Sequence, residues 1–348
     1  MIAEDGIEPT ATRPGPARAR VGVVVIGRNE GQRLVRCLAS LRGRSPVVVY
    51  VDSGSTDGSV AAARAAGAEV VALDTSIPFT ASRARNAGFE RLQQLLPDLL
   101  YVQFVDGDCE VQNGWIEAAA DYLDANPPVA VVCGRRRERN PGSSRYNQIT
   151  DVEWDTPIGK ARNCGGDAMF RAEVLRAAGG FDPALIAGEE PELCFRILRA
   201  GPLIVRMDVE MTLHDAAMFR FGQFWRRCER SGHAYAELAA MHGGRPHRLA
   251  VRPVASIVAW STGPAILSLA LAQIRIEWAA APILAYAIPW LRSRHQTMRR
   301  GYDRSVSSLY ASACVVGKFA EFAGVVRFVL NRFVFGRRSR LIEYKTEL

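Results

Sequence analysis

The strongest constraint on the fold is a run of apolar, β-branched segments that stop abruptly at polar residues and alternate with helical patterns. "VGVVVIGRNE" begins at Val21, "VVVYVDSGSTDGS" at Val47 and "LLYVQFVDGDCEV" at Leu99. Such runs suit strands buried on both faces. Between the first two lies "GQRLVRCLASLRG", in which Leu34, Cys37, Leu38 and Leu41 share one helical face. Strand alternating with helix predicts an α/β architecture, a mostly parallel sheet wrapped by helices. Ligands of such sheets sit beyond the C-terminal strand ends, so the polar residues there are the ones to inspect.

The chain has 348 residues, 48% of them apolar, enough to fill a sizeable core and to exclude global disorder. Its seven cysteines are odd in number, scattered and free of any C-x-x-C spacing. Neither a disulfide framework nor a zinc site is suggested, and a reducing, cytosolic compartment is expected. Residues 1–20, rich in Pro, Ala and Arg without an apolar stretch, are expected to form a flexible arm.

Charge divides the chain. Residues 245–348 hold 16 Lys and Arg against 5 Asp and Glu, net +11, which leaves −3 for residues 1–244. This asymmetry calls for an anionic surface, and the neighbouring apolar runs choose membrane over nucleic acid. Residues 253–274 carry no formal charge over 22 positions, about the length that crosses a bilayer. Residues 278–291 are a second uncharged run, interrupted by Pro282 and Pro289, and a third apolar segment, interspersed with Lys318, Glu321 and Arg327, looks amphipathic. Flanking Trp, Tyr and Arg fit interface anchors and an anionic cytoplasmic leaflet. A buried helical pair in a soluble domain is the alternative. The expected domains are thus 21–244, an α/β unit, and 245–348, a basic, apolar helical, membrane-associated region.

The chemistry is expected at three strand ends. Asp106, Gly107 and Asp108 put two carboxylates at the mouth of the sheet, where hard oxygen ligands would hold a divalent cation and leave room for phosphates. Asp-Gly is also a routine turn, so the pair needs its context. That context is Asp52, Ser53 and Ser55 after the second run and Arg28, Asn29 and Glu30 after the first. Each alone suits a cap or a turn; together they outline a pocket for a nucleotide beside a metal-bound diphosphate.

Five segments in order, "VVVIGRNEGQRLVRCLASL", "VVYVDSGSTDGS", "ASRARNAGFE", "VQFVDGDCEV" and "CGGDAMFRAEVLRAAGGFDPALIAGEEPELCFRILRAG", resemble the family 2 glycosyltransferases over about residues 21–240. The resemblance implies the GT-A fold and inverting transfer from a nucleotide-diphosphate sugar, with Mn2+ or Mg2+. It implies that Asp108 binds the metal, that Asp106 holds the ribose or a metal-bound water, and that Asn29, Glu30, Asp52, Ser53, Gly107 and Arg85 (or Arg83) line the nucleotide site. It further implies that Gly166 and Asp167 meet the donor sugar and acceptor and that His214 is a further metal or pyrophosphate ligand. Where the family reads V-D-D-G-S, this chain has Ser53, which removes one carboxylate acceptor.

The family motif G-E-D-x-D-L-x-x-R aligns without gaps on Gly188 to Arg196, and Glu190 takes the place of the catalytic base. Pro191 is expected at the first helical position, leaving Glu190 extended and pointing into the cleft. Glu189 is a candidate acceptor contact, while Glu192 is expected to pair with Arg196 on the helix surface. Farther on, Gln223 and Arg226 fit the Q-x-x-R-W of processive relatives, but Arg227 replaces the Trp, which argues against a processive enzyme. Arg226, Arg227 and Arg230 are candidates to neutralise the leaving diphosphate, or simply a solvated basic face. The expectation is a membrane-associated, bacterial-type enzyme of polysaccharide or cell-envelope synthesis, on the cytoplasmic face, acting on a lipid-linked or glycan acceptor. A non-catalytic nucleotide-sugar scaffold and a nucleotidyltransferase are the alternatives.

Overall fold

The computed structural model describes residues 20–337 and Ile342; all but the last position of the expected N-terminal arm, and most of the basic C-terminal end, lie outside the described residues. The chain begins β1 (Val21–Gly27), α1 (Gln32–Ser40), β2 (Val47–Asp52), α2 (Ser59–Ala65), β3 (Glu69–Ala72), α3 (Ala81–Leu95) and β4 (Tyr101–Asp106). It continues through β5 (Cys109–Val111), α4 (Trp115–Ala125), β6 (Val129–Glu138), α5 (Arg145–Trp154), β7 (Gly159–Lys160), β8 (Ala168–Arg171), α6 (Ala172–Ala177), α7 (Glu189–Arg199), β9 (Leu203–His214) and α8 (Phe221–His242). The C-terminal region holds α9 (Val251–Ile274), a 3₁₀ stretch (Ile276–Tyr286), α10 (Ala287–Arg299) and α11 (Arg304–Val329).

One sheet runs in the order β3-β2-β1-β4-β8-β6-β9-β5, with β7 beside β9. It is parallel across β3, β2, β1 and β4, as the apolar runs require, because helices cover both faces. Beyond β4, β6 and β9 are again parallel, while the short strands add antiparallel pairings: β8 is antiparallel to both β4 and β6, and β5 and β7 are antiparallel to β9. The register matters for the site. Gly27 lies opposite Asp52 and Ile26 opposite Asp106, so the three polar strand ends come out side by side. The α1 face lies as its periodicity predicts, with Leu34, Cys37, Leu38 and Leu41 all buried.

The C-terminal region is docked on the α/β unit. Its last helix, α11, lies along α8 so closely that a Cβ at Gly232 would sit 1.9 Å from the Glu321 carbonyl, and one at Gly324 would sit 2.0 Å from the Glu229 carbonyl. The close approach is carried by small residues. Buried on α11 are Ser307, Ala311, Gly317, Ala320 and Gly324, with Val325 and Phe328, whereas Val316, Phe319, Val326 and Val329 face outward. Arg300, at the end of α10, donates to the Val152 carbonyl at 2.6 Å and pairs with Asp155 at 3.1 Å, which fastens the region to α5 as well.

Because backbone on the opposing helix blocks a methyl group at Gly324, Gly324→Ala is expected to lower stability by about 1–3 kcal/mol. A shift in the urea midpoint reads this directly; an unchanged midpoint would mean that the seam has slack.

Candidate active site

The site is organised by two arginines among three acids. Arg85, on α3 and only 3% exposed, donates to Asp106 Oδ1 at 2.9 Å and to Glu189 Oε1 at 2.7 Å. Arg136, on β6, pairs with Asp167 at 2.6 Å and with the other Asp106 oxygen at 3.6 Å. Burial works against the charge of Arg85, but Asp106 and Glu189 outweigh it and raise its pKa further. Burial likewise pushes Asp106 up, yet Arg85 and Arg136 prevail and hold it below the usual carboxylate range. Gly166 is the contact point. A Cβ there would lie 2.7 Å from Asp106 Oδ2 and 2.9 Å from the Arg85 guanidinium, so a side chain would break the cluster.

Asp167 is fully buried, and its carboxylate is occupied by protein donors. It accepts from the Asp106 amide at 2.9 Å, Thr212 Oγ1 at 2.9 Å and Arg136 Nε at 3.1 Å. It braces the strand end from behind, an arrangement unlike the sugar or acceptor contact expected of it. Asp108 turns the other way, with Oδ2 3.3 Å from Nε2 of His214 at the end of β9. Asp108, Cys109 and His214 each offer one ligand atom within 4.8 Å of the others, all buried. Oxygen and imidazole donors so placed fit a divalent ion, and Asp106 lies outside this group because its oxygens face Arg85 and Arg136. Trp154 packs edge-on against the His214 ring at 4.4 Å.

The first two strand ends form a braced floor. Asp52 accepts from the amides of Gly54 (3.0 Å) and Ser55 (2.9 Å) and from Tyr50 at 3.0 Å. Asn29 is exposed at positive φ; its amide donates to Ser55 Oγ and its side-chain oxygen accepts from the Thr56 amide at 2.8 Å, which ties the two loops together. Ser53 is buried, its amide bonded to the Gly27 carbonyl, and Glu30 pairs with Arg33 at 2.9 Å. Gly107 closes the third end through its amide, which donates to Ile26 O at 2.8 Å.

The three glutamates after Gly188 have separate surroundings. The helix begins at Glu189, two positions earlier than expected, so Glu190 is helical rather than extended. Pro191 is then the third helical residue. The first amides of a helix have no intrahelical acceptor, so proline costs no hydrogen bond there. Glu192 does pair with Arg196, at 2.7 Å, but it is buried rather than on the surface and also meets His242 at 3.0 Å. The pair is buried because Arg196 reaches under the helix to the carbonyls of Ala178 and Gly180. Glu190, half-buried, forms no ion pair among the described residues. Its Oε1 accepts from the Cys164 amide and lies 3.0 Å from the Cys194 thiol.

The α8 candidates meet other groups. Gln223 is buried and caps its own helix, accepting from the amides of Phe219 (2.8 Å) and Arg220 (3.0 Å), so it offers no acceptor contact. Arg227 pairs with Glu153 on α5 at 2.6 Å. Arg230 donates to the Ile186 carbonyl at 3.2 Å, bracing the loop that leads into Glu189, and Arg226 shares its helix near Gly222. Sequence reasoning missed Arg136, Trp154, Cys164 and Cys194. The only signal was the basic end of "VVCGRRRERN", whose middle arginine turns inward.

A sheet of this order, with paired acids at the end of β4 and polar residues at the ends of β1 and β2, has the architecture of the GT-A fold. Residues 22–177 match the family described as glycosyl transferase family 2. By sequence, the chain is similar to the pre-mycofactocin glycosyltransferase of Mycobacterium tuberculosis, 26% identical over 217 residues, covering 58% of this chain and 44% of that protein. It spans less than half the length of the relatives it matches by sequence. By structure, it is similar to the mannosyltransferase PcManGT from Pyrobaculum calidifontis in complex with GDP-Man and Mn2+, with TM-score 0.57, 18% identity and coverage of 90% of this chain and 87% of that one. TarS residues 1–349 of S. aureus follow with TM-score 0.51, 15% identity and coverage of 84% and 90%. At these identities the likeness establishes the fold.

Removing Arg85 strands two carboxylates that it now neutralises. Arg85→Gln is expected to cost about 3–5 kcal/mol of unfolding free energy, the usual result of breaking a buried pair. Asp106→Asn in that background should recover part of the loss, and strict additivity in denaturation would refute the coupling.

Proposed function

We propose that the protein is an inverting glycosyltransferase that moves a sugar from a nucleotide-diphosphate donor to a lipid-linked or glycan acceptor at the cytoplasmic face of a membrane, with Glu190 as base. The observation that carries the reading is the Arg85 bridge. It fastens the strand-end Asp106 to Glu189, so the neighbouring Glu190 belongs to the same wall as the Asp106 and Asp108 strand end. Of the three glutamates, Glu189 and Glu192 are committed to cations, and Glu190 is the carboxylate left to take a proton.

In the reaction, the acceptor oxygen forms a bond to the anomeric carbon as the bond from that carbon to the diphosphate oxygen breaks. Glu190 receives the hydroxyl proton on the face opposite the leaving group, which inverts the centre. Asp108 and His214 would hold Mn2+ or Mg2+, and that ion, when bound, supplies positive charge to the departing diphosphate. Asn29, Asp52 and Ser53 shape the nucleotide floor. The complex of PcManGT with GDP-Man and Mn2+ supports a sugar nucleotide and a divalent ion as the ligands here.

Membrane association is supported by the inverted packing of the C-terminal region. In α9, Val251–Ile274, a window long and apolar enough to cross a bilayer is only 11% buried. Leu269 is 68% exposed, Ile276 73% and Leu284 76%, and α11 buries its small residues with Val325 and Phe328 while presenting Val316, Phe319, Val326 and Val329 outward. Small residues inside and large apolar ones outside is the packing of helices in lipid. The arginines around α9 and α10 would meet the anionic leaflet. The scaffold alternative predicts donor binding without turnover.

Glu190→Gln is expected to slow transfer by about 10²–10⁴-fold while leaving donor affinity within twofold. Wild-type rates from this variant would exclude Glu190 as the base. Full-length protein should co-sediment with anionic vesicles, and Ile276→Glu with Leu284→Glu should release it. Truncation at residue 244 is unsuitable, because it strips α11 from the α8 seam; recovery of the intact chain entirely in the supernatant would refute membrane association.

A further inference from the structure

A second cluster differs from the Asp108, Cys109 and His214 group in offering two thiols and a carboxylate. Cys164, from the loop before β8, and Cys194, on α7, place their sulfurs 3.6 Å apart, and both are buried free thiols. Glu190 sits one helical turn before Cys194 and completes a set of three ligand atoms within 4.8 Å of one another. Two thiolates bound tetrahedrally to one zinc at about 2.3 Å stand roughly 3.7 Å apart, close to the separation already present. The two cysteines are 30 positions apart in the chain, which is why no C-x-x-C spacing announces them.

We propose that Cys164, Cys194 and Glu190 form a binding site for a soft divalent cation such as Zn2+ or Cd2+, separate from the metal site of the transfer reaction, and that its occupation takes the base out of service. The charges balance. Each thiol releases its proton to solvent as the dication enters, so the cluster keeps the single negative charge that Glu190 gives it when the site is empty. Thiolate sulfur selects soft ions over Mg2+ and Mn2+, which the oxygen and imidazole donors at Asp108 and His214 suit. No cation must be displaced, since Glu190 forms no ion pair among the described residues. A small turn of its side chain, now 3.0 Å from the Cys194 sulfur, brings an oxygen to a ligand position. Once bound, that carboxylate cannot accept the acceptor proton.

The inhibitory half of the proposal rests on Glu190 being the base, whereas the binding half does not, and the experiment separates them. Zn2+ is added to reduced, full-length wild-type protein at one equivalent, and X-ray absorption at the zinc edge is recorded. Two sulfur neighbours at about 2.3 Å with oxygen completing the shell are expected. One sulfur with imidazole nitrogen would place the ion at Cys109 and His214 and overturn the site. In parallel, Cd2+ titration followed by thiolate-to-metal charge-transfer absorbance should give a band that Cys164→Ser and Cys194→Ser each cut by about half, with affinity falling at least tenfold, and that Cys109→Ser and Cys228→Ser leave intact. Retention of the full band by the Cys164→Ser/Cys194→Ser variant also overturns it. Transfer assayed with saturating Mn2+ should be lost on adding Zn2+ and restored by a chelator. If zinc binds through two sulfurs and transfer continues, the site stands and the role of Glu190 as base fails.

Discussion

A single buried guanidinium sets the terms for the rest of the site. Arg85 has no solvent to stabilise it, so its charge persists only because Asp106 and Glu189 flank it. This condition fixes the end of β4 relative to the start of α7, and it requires a glycine at position 166, where the two charged groups leave no room for a Cβ. A second guanidinium, Arg136, repeats the device behind it through Asp167. The consequence for chemistry is that both arginines are already neutralised. Neither has charge to spare for a departing diphosphate, so that task would fall to a bound metal ion or to other basic side chains.

The same electrostatics sorts three adjacent glutamates into three roles. Glu189 completes the Arg85 pair, and Glu192 locks α7 through Arg196 and His242. Glu190 faces an amide and two thiols instead. Its partners are weak donors that leave it able to accept a proton, and they are also soft ligands. A base placed against thiols is open to metals that a base placed against an arginine would resist, so the features that suit Glu190 for the proposed role would also expose it.

How much of this was legible depended on whether a residue's partners are local. The α/β class, the three strand ends and the Asp-Gly-Asp turn followed from apolar runs that end in polar residues, and the register then brought those ends together. The antiparallel insertion of β8 did not follow, because β8 is a four-residue strand whose direction is set by its neighbours. The place of Glu190 came from motif alignment, but its helical backbone did not, since proline is accommodated as readily at the third helical position as at the first. Gln223 reads as an acceptor contact in sequence and is a helix cap in space. Arg136, Cys164 and Cys194 were hidden, because their meaning lies in residues 30 or more positions away.

The domain boundary at residue 244 illustrates a different limit. Hydropathy alone cannot say which face of α11 is inside, and amphipathic reasoning puts large apolar residues inward. Here much of the buried face is made of Gly, Ala and Ser, with Val325 and Phe328, because α8 approaches to backbone contact, and Val316, Phe319, Val326 and Val329 are left outside. Close packing through small residues gains dispersion contacts and needs no water to be expelled, whereas the outward face is favourable only if another apolar phase covers it. The seam therefore couples the two regions. A helix that would meet lipid on one side is clamped on the other to α8, whose Arg230 holds the loop leading to Glu189 and Glu190. Displacing α11 would be felt within a few residues of the proposed base, so the proposed membrane contact and the proposed geometry of transfer would be mechanically linked.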